Sequence, residues 1–384
     1  MRGGARWRNV SGATVVASFL GLLAFPIVAY GLGYARGNAD YIRATEDRNP
    51  AVFPPTSELL SSTPRFTRGV EDVVADHFPL RRWLIGGYNA GIFFILGGIK
   101  NPAVIHGRGE WFFVNVADTG PPGSPSFPNI RCIVNRFVTR SEWSAARKAH
   151  YVLVLVPDKN EIYPEQLPPN RMLEHPTVRK LILPLLRAAK VDTVDPTGPL
   201  TLAKRGGAVF FRSDSHWNDR GAYATYRALV GDLRLPDMVA RLSPEETASD
   251  FIGDLPRLAG LVDFVKTRES FFKFKSKVKW EARGTNPDVR VSRLNNARLP
   301  TAVIMSDSFG NALRPMLAEN FRRATFIARS GNWQFDGGFV STQRPEYVIQ
   351  ILVDATLRGG FQYLTSQEKC SSEIMSSPLS SAQL

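Results

Sequence analysis

The chain has 384 residues, a length that suits one large domain or two small ones; it is 43% hydrophobic and 22% charged, so most of it can bury a core. Its net charge of +13 favours polyanionic partners: nucleic acid, anionic lipid or an acidic polysaccharide. No zinc-finger or RNA-binding signature accompanies that charge, which argues against nucleic acid. The two cysteines, Cys132 and Cys370, form no metal or redox motif and leave one disulfide open.

Gly12 to Ala35 is a run of 24 uncharged residues. As a helix it would reach ~36 Å, enough for a bilayer. It exceeds the apolar core of a signal peptide, roughly 7–15 residues, so an uncleaved anchor is expected. A small-x-small site at Gly33-Tyr34-Ala35 leaves a cleaved signal as the alternative. Arginines flank both ends, Arg2, Arg6 and Arg8 before and Arg36, Arg43 and Arg48 after, so flanking charge does not fix the orientation. A second uncharged run, Trp83 to Ile99, has 17 residues and five glycines, and is read as a helix packing on the domain, with a second span as the alternative.

The expected organisation is a cytoplasmic N-terminus (1–11), an anchor or signal (12–35), a polar linker (36–64), a folded domain (65–360) and a Ser-rich disordered tail (361–384). Within the domain, Phe66 to Ile99 reads as helical. Val104 to Val114 carries a turn at Gly107–Gly109 and an aromatic strand. Asn115 to Ile130 reads as a Pro/Gly loop and Ser141 to Ala149 as a short helix. Tyr151 to Val156 is an apolar strand stopped by Pro157, and Pro176 to Ala189 is helical with proline at its start. Ala208 to Phe211 is a short strand, and Asp219 to Asp232 a helix capped by Asn218 or Asp219. Thr301 to Met305, Ala324 to Ala328 and Tyr347 to Val353 are further strands. Short apolar strands alternating with helices predict an α/β fold whose mainly parallel sheet is covered on both faces.

Asp214-Ser215-His216 sits in mid-chain, and Ser308 follows the apolar run Thr301–Met305. In an extended segment residues two apart share a side. Asp214 can then hold one imidazole nitrogen of His216 and leave the other for a nucleophile. Ser308 lies between a strand and a helical pattern, Asn311 to Asn320. At such an elbow its hydroxyl is exposed beside backbone N–H groups able to receive an oxyanion. The competing readings are a helix N-cap for Ser308 and a buried, hydrogen-bonded histidine for His216. No further ligand cluster points to a metal, and no coenzyme A or nucleotide fingerprint points to a cofactor. Asn332, Lys159 and Tyr163 are weaker candidates for oxyanion or substrate contacts. Lys273, Lys275, Lys277 and Lys279 alternate with mostly apolar residues. Period two would set four lysines on one strand face, either to contact an acidic polymer or simply to be solvated.

In order and rough spacing, several motifs over residues 46–355 resemble the SGNH-like alginate O-acetyltransferases of bacterial exopolysaccharide machinery (AlgX/AlgJ type). They are Glu46-Asp-Arg-Asn-Pro50, Asp76-His-Phe-Pro-Leu-Arg81, Gly107-Arg-Gly-Glu-Trp-Phe-Phe113, Val156-Pro-Asp-Lys159 with Tyr163-Pro-Glu165, Asp214-Ser-His-Trp-Asn218, Ser306-Asp-Ser-Phe309, and the strand after Pro345-Glu346. The resemblance implies a permuted SGNH-hydrolase-like three-layer sandwich after one N-terminal transmembrane helix. It also implies Asp214 and His216 as acid and base, and Ser308 as nucleophile. One departure is Ser306, where the family has glycine. The implied activity is acetyl transfer to an exopolysaccharide by a domain held at the inner membrane and facing the periplasm, with a multi-spanning membrane acyltransferase as acetyl donor. The alternatives are a carbohydrate acetylesterase of the same fold and a non-catalytic polysaccharide-binding scaffold.

Overall fold

The computed structural model describes residues 5–46, 48–116, 129–171, 175–242, 244–281, 288–328 and 335–361. The chain divides into two compact units, one from residues 1–104 and 254–266, the other from 105–253 and 267–384.

The first unit is helical: α1 (Ala5–Gly31), α2 (Asn38–Glu46), α3 (Ser57–Ser61), α4 (Thr63–Asp76), α5 (Arg81–Leu96) and the short helix Asp254–Leu258. Within α1, Gly12–Gly31 has a mean hydropathy of 2.1 and is almost wholly exposed; among the described residues it is the one stretch long and apolar enough to cross a membrane, by criteria a signal sequence also meets. The segment read as a linker carries α2 and α3. The second uncharged run forms α5, whose 16 residues reach roughly 24 Å, short of a bilayer core. The acidic and basic motifs around residues 46–50 and 76–81 meet as an ion cluster. Arg48 donates to both oxygens of Asp76 at 2.6 and 2.7 Å, the Ala51 N–H donates at 2.8 Å, and Arg81 donates to Glu46 at 2.7 Å. The Arg48 bond holds the Asp76 carboxyl down at about 2.

Among the described residues the second unit holds the strands, apart from Val104 at the start of the first: β1 (Val104–His106), β2 (Phe112–Val114), β3 (His150–Val156), β4 (Thr193–Val194), β5 (Glu245–Phe251), β6 (Thr267–Lys273), β7 (Lys279–Trp280), β8 (Val289–Arg293), β9 (Thr301–Ser306), β10 (Arg323–Ala328) and β11 (Tyr347–Val353). Seven form one sheet in the order β4-β3-β11-β9-β10-β8-β7. The five strands from β4 to β10 run parallel, and β8 and β7 add an antiparallel edge. Side-chain alternation splits the core in two. Val152, Val154, Ile304, Ile349 and Ile351 face one layer of helices, with Tyr226 and Leu313 among it; Leu153, Leu155, Val303, Val348 and Leu352 face the other, with Phe137 and Ile182. A strand covered on both faces is apolar at nearly every position, which is why β3 and β11 read as hydrophobic runs; the buried exception in β11, Gln350, accepts from Arg140 and the Tyr151 hydroxyl. Each fully buried aliphatic side chain contributes roughly 1.5–3 kcal/mol.

Three expectations need correcting. The helix expected over 141–149 runs from Ile130 to Ala145, with the Asn129 side chain accepting the Cys132 N–H at its start. Buried arginines obscure its apolar face: Arg140 lies over the Phe137 and Phe335 rings and donates to Gln350 at 3.0 Å. The strand expected over 208–211 is a single bridge, Phe210 with Trp217. The four lysines do not share a strand. Lys273 ends β6, which pairs with β5 in a separate two-stranded sheet; Lys279 begins β7 at the edge of the large sheet, and Lys275 and Lys277 lie between. There Ser276 Oγ accepts the Val278 N–H, and Phe274 and Val278 pack on the core, so this chain segment leaves one ladder before joining the next. All four lysines remain exposed.

Candidate active site

Two loops carry the residues singled out in the sequence. The first is closed by short antiparallel bonds, Phe211 N–H to the His216 carbonyl at 3.2 Å and Asn218 N–H to the Val209 carbonyl at 3.1 Å. Asn218 then caps the helix Asp219–Asp232, accepting the Gly221 N–H. The reversal is a bend rather than a strand, so Asp214 and His216 meet for a different reason from the one expected. Asp214 Oδ1 accepts the His216 backbone N–H at 2.9 Å and His216 Nδ1 at 2.7 Å. This is an aspartate turn, in which the side chain bonds the backbone two residues on. It fixes the imidazole with Nδ1 towards the carboxylate.

The second loop follows β9. Ser308 lies two residues beyond that strand and two before the helix Gly310–Leu317. Its Oγ is 2.7 Å from His216 Nε2. With Nδ1 protonated towards Asp214, Nε2 is left to accept the Ser308 hydroxyl proton. Ser306 ends β9 in extended backbone, outside the positive-φ positions of the described chain, so no glycine is needed there. Its side chain occupies space left by Gly310: a Cβ at 310 would lie 2.0 Å from Ser306 Oγ.

Several residues position these two loops without entering the chemistry. Trp217 is buried, and its indole N–H donates to the Phe309 carbonyl at 3.1 Å, tying the histidine loop to the serine loop. The Phe309 ring also packs against His216, with centroids 5.0 Å apart. Asp307 accepts the Phe309 N–H at 3.0 Å and, on its other oxygen, the Val353 N–H at 2.7 Å and the Thr356 hydroxyl at 3.0 Å. Burial pushes the Asp307 carboxyl up, and those bonds oppose the shift. Ser213 is braced by Thr267 at 2.8 Å and by the Gly253 N–H at 3.2 Å. Sequence reasoning missed these supports. Trp217 and Asp307 stood inside the recognised motifs, but nothing in a sequence says which way an indole or a carboxylate turns.

Lys159 and Tyr163 fall elsewhere than expected. Lys159 is buried, and its ammonium lies 2.6–2.9 Å from four main-chain carbonyls, those of Phe112, Phe211, Arg212 and Asp214. Tyr163 is buried against Trp111, and its hydroxyl accepts the Val209 N–H. Both shape the histidine loop from behind, and these bonds turn their polar atoms towards the backbone rather than towards an incoming ligand. Asp158 pairs with Arg358 at 2.6 Å, and Arg358 in turn with Asp354 at 2.5 Å. Asn332 lies outside the described residues, as does Cys370. The structure therefore brings Asp214, His216 and Ser308 together near the carboxyl ends of the parallel strands, where open α/β sheets form their sites.

A family model for the SGNH hydrolase-like domain of the acetyltransferase AlgX matches residues 104–339. A probable alginate O-acetylase AlgJ of Pseudomonas aeruginosa is 27% identical over 272 residues, covering 68% of this chain and 64% of that protein. Its counterpart in Pseudomonas syringae pv. tomato is 24% identical over 245 residues, 62% of this chain and 61% of that one. The chain thus spans just under two thirds of the length of these two curated relatives. Among solved structures, Bacillus cereus PatB1 with a sulfonyl adduct superposes with a TM-score of 0.51 at 16% identity, covering 69% of this chain and 98% of that one, a likeness of fold. The chain belongs to the family of SGNH hydrolase-like acetyltransferase domains of the AlgX type.

Proposed function

We propose that this protein is an O-acetyltransferase that carries an acetyl group on Ser308 and delivers it to hydroxyls of an exopolysaccharide outside the cytoplasm. The observation that carries the reading is the relay from Asp214 through His216 to Ser308, with both links at 2.7 Å. His216 Nε2 takes the Ser308 proton as Oγ attacks the acetyl carbonyl. The same imidazolium then protonates the departing donor group. In the second half-reaction His216 deprotonates a sugar hydroxyl, which attacks the ester and releases Ser308. Among the described residues the Ser308 N–H meets no acceptor, so it is available to the oxyanion. Asp214 keeps the imidazole in one tautomer and offsets its charge.

The net charge of +13 suits an acidic polymer, and the relatives' name, alginate O-acetylase, makes alginate or a similar uronate the first substrate to try. In this reading residues 12–35 anchor the chain in the inner membrane and residues 65–360 act from the periplasmic side. The acetyl donor is a multi-spanning membrane acyltransferase, since the sequence holds no coenzyme A fingerprint.

The test is intact-mass measurement after exposure to an activated acetyl ester. The wild type gains one acetyl group. Ser308→Ala gains none while its fold is retained, and Asp214→Asn turns over ~10⁴-fold more slowly, as loss of the tautomer-holding carboxylate does in serine hydrolases. Persistent acylation of the Ser308→Ala protein overturns the assignment. Added uronate oligosaccharide diverts the acetyl group from water to sugar because a positioned hydroxyl reacts at a high effective concentration. Steady stripping of acetylated polymer, with no transfer to acceptor, makes the protein an esterase instead.

A further inference from the structure

The helix α5 is turned inside out for a soluble protein. Its inward face is made of small or polar residues: Gly86 sits against Phe264 and Tyr41, and Asn89 against Gly260. Its outward face is apolar over four turns. Trp83 (57% exposed), Leu84 (57%), Tyr88 (56%), Phe94 (63%) and Ile95 (81%) form a stripe at helical spacing. No Asp, Glu, Lys or Arg interrupts the chain between Arg82 and Lys100. Cations frame this stretch: the Arg82 guanidinium lies 5.7 Å from the Trp83 ring and the Lys100 ammonium 5.0 Å from the Tyr88 ring. A contiguous exposed apolar patch of this kind is a docking surface.

We infer that the outward face of α5 lies in the surface of a lipid bilayer, as an interfacial helix beside the anchor. The inference rests on the reading of α1 as a membrane anchor. Three observations favour lipid over a protein partner. The unit that carries α5 also carries α1, so insertion of α1 brings this unit to the bilayer surface. Tryptophan and tyrosine flanked by Arg and Lys are the residues that settle at the headgroup boundary, with ring buried and cation in water. The foot of α1 shows the same chemistry: a groove of about 660 Å³ is lined by Pro26, Ile27 and Tyr30 of that helix and by Val52, Phe53 and Val74. Its walls are apolar at the depth where a spanning α1 leaves the hydrocarbon, so lipid chains fit it.

Sequence supplies the test. Trp83–Lys100 is one tryptic peptide, and Asn9–Arg36, which holds the apolar part of α1, is another. The full chain is reconstituted in phosphatidylethanolamine/phosphatidylglycerol vesicles containing a lipid with a diazirine high on its acyl chain, then irradiated, digested and mapped by mass spectrometry. Lipid adducts are expected on both peptides and not on peptides of β3, β9 or β11. Leu84→Glu combined with Ile95→Glu, at positions exposed enough to leave packing unchanged, abolishes the adducts on 83–100 and keeps those on 9–36. Adducts on 9–36 alone in the wild type overturn the inference and leave the anchor intact. Adducts on neither peptide overturn the anchor reading itself. In native membranes, crosslinking of 83–100 to a protein in place of lipid also overturns the inference.

Discussion

Lys159 is the most direct test of how the site is held. Its ammonium meets the carbonyls of Phe112, Phe211, Arg212 and Asp214 at 2.6, 2.7, 2.8 and 2.9 Å, and three of those four residues belong to the histidine loop. Lys159→Met keeps the aliphatic stem and removes every donor. Four inward-facing carbonyls then lose a charged donor, although the Arg212 carbonyl keeps the Phe112 N–H at 2.8 Å; at roughly 1–3 kcal/mol for each one that neither another donor nor water can reach, and with relief from burying the charge set against this, the net loss is about 3 kcal/mol. For a domain of this size that is a fall in Tm of roughly 5 °C. The Asp214 carbonyl is released along with the carboxylate that orients His216. A displacement of ~1 Å at that carboxylate costs about 10²-fold in the acylation rate. Thermal unfolding and stopped-flow acetylation of Ser308 are the assays. A full acylation rate in a destabilised variant would show that Lys159 holds the fold but not the site, and an unchanged Tm would show that the four bonds contribute nothing. Either result refutes the reasoning.

Asp76→Asn removes the carboxylate that Arg48 grips, and is expected to destabilise the helical unit by ~2 kcal/mol, the equivalent of its lowered proton affinity. The folded carboxyl titrates near 2 against an ordinary 3.8, so this stabilisation is complete above pH 3.8 and disappears as the pH falls through about 2. The variant and the wild type should therefore converge in acid; a gap that persists at the lowest pH counts against the ion pair. Gly310→Ala places a Cβ 2.0 Å from Ser306 Oγ and 2.3 Å from Ser306 Cβ, an overpacking of about 1–3 kcal/mol. The double variant Ser306→Gly/Gly310→Ala should recover most of that loss by chemical denaturation, and additive losses would refute the packing account. Replacing Lys273, Lys275, Lys277 and Lys279 together with glutamine should weaken binding of an acidic polysaccharide roughly tenfold at low salt and flatten its salt dependence. Equal affinity at low ionic strength makes the row an ordinary solvated surface.

What the sequence determined by itself is whatever depends on local pattern. Strands buried on both faces are apolar at nearly every position, so β3, β9 and β11 were legible within a residue or two, and the Asn218 cap marked the start of the helix Asp219–Asp232. An uncharged run of bilayer length announced α1. The candidate residues were legible as types: an acid two positions before a histidine, and a serine between a strand and a helix. Their meeting was not, because His216 and Ser308 are 92 residues apart and only the sheet order, with β9 beside β11 and β11 beside β3, brings their loops to one edge. Where physics offers two local solutions, tertiary contacts choose. Asp-x-His can align on an extended strand or close an aspartate turn; here the pairing of Phe210 with Trp217 forces the bend. Period-two lysines can line one strand, but here Phe274 and Val278 pack inward while the chain leaves β6 for another sheet. A buried lysine reads in sequence like any other charge. Only the folded chain supplies four carbonyls at one point to receive it, because the strength of those bonds depends on removing water from all of them at once.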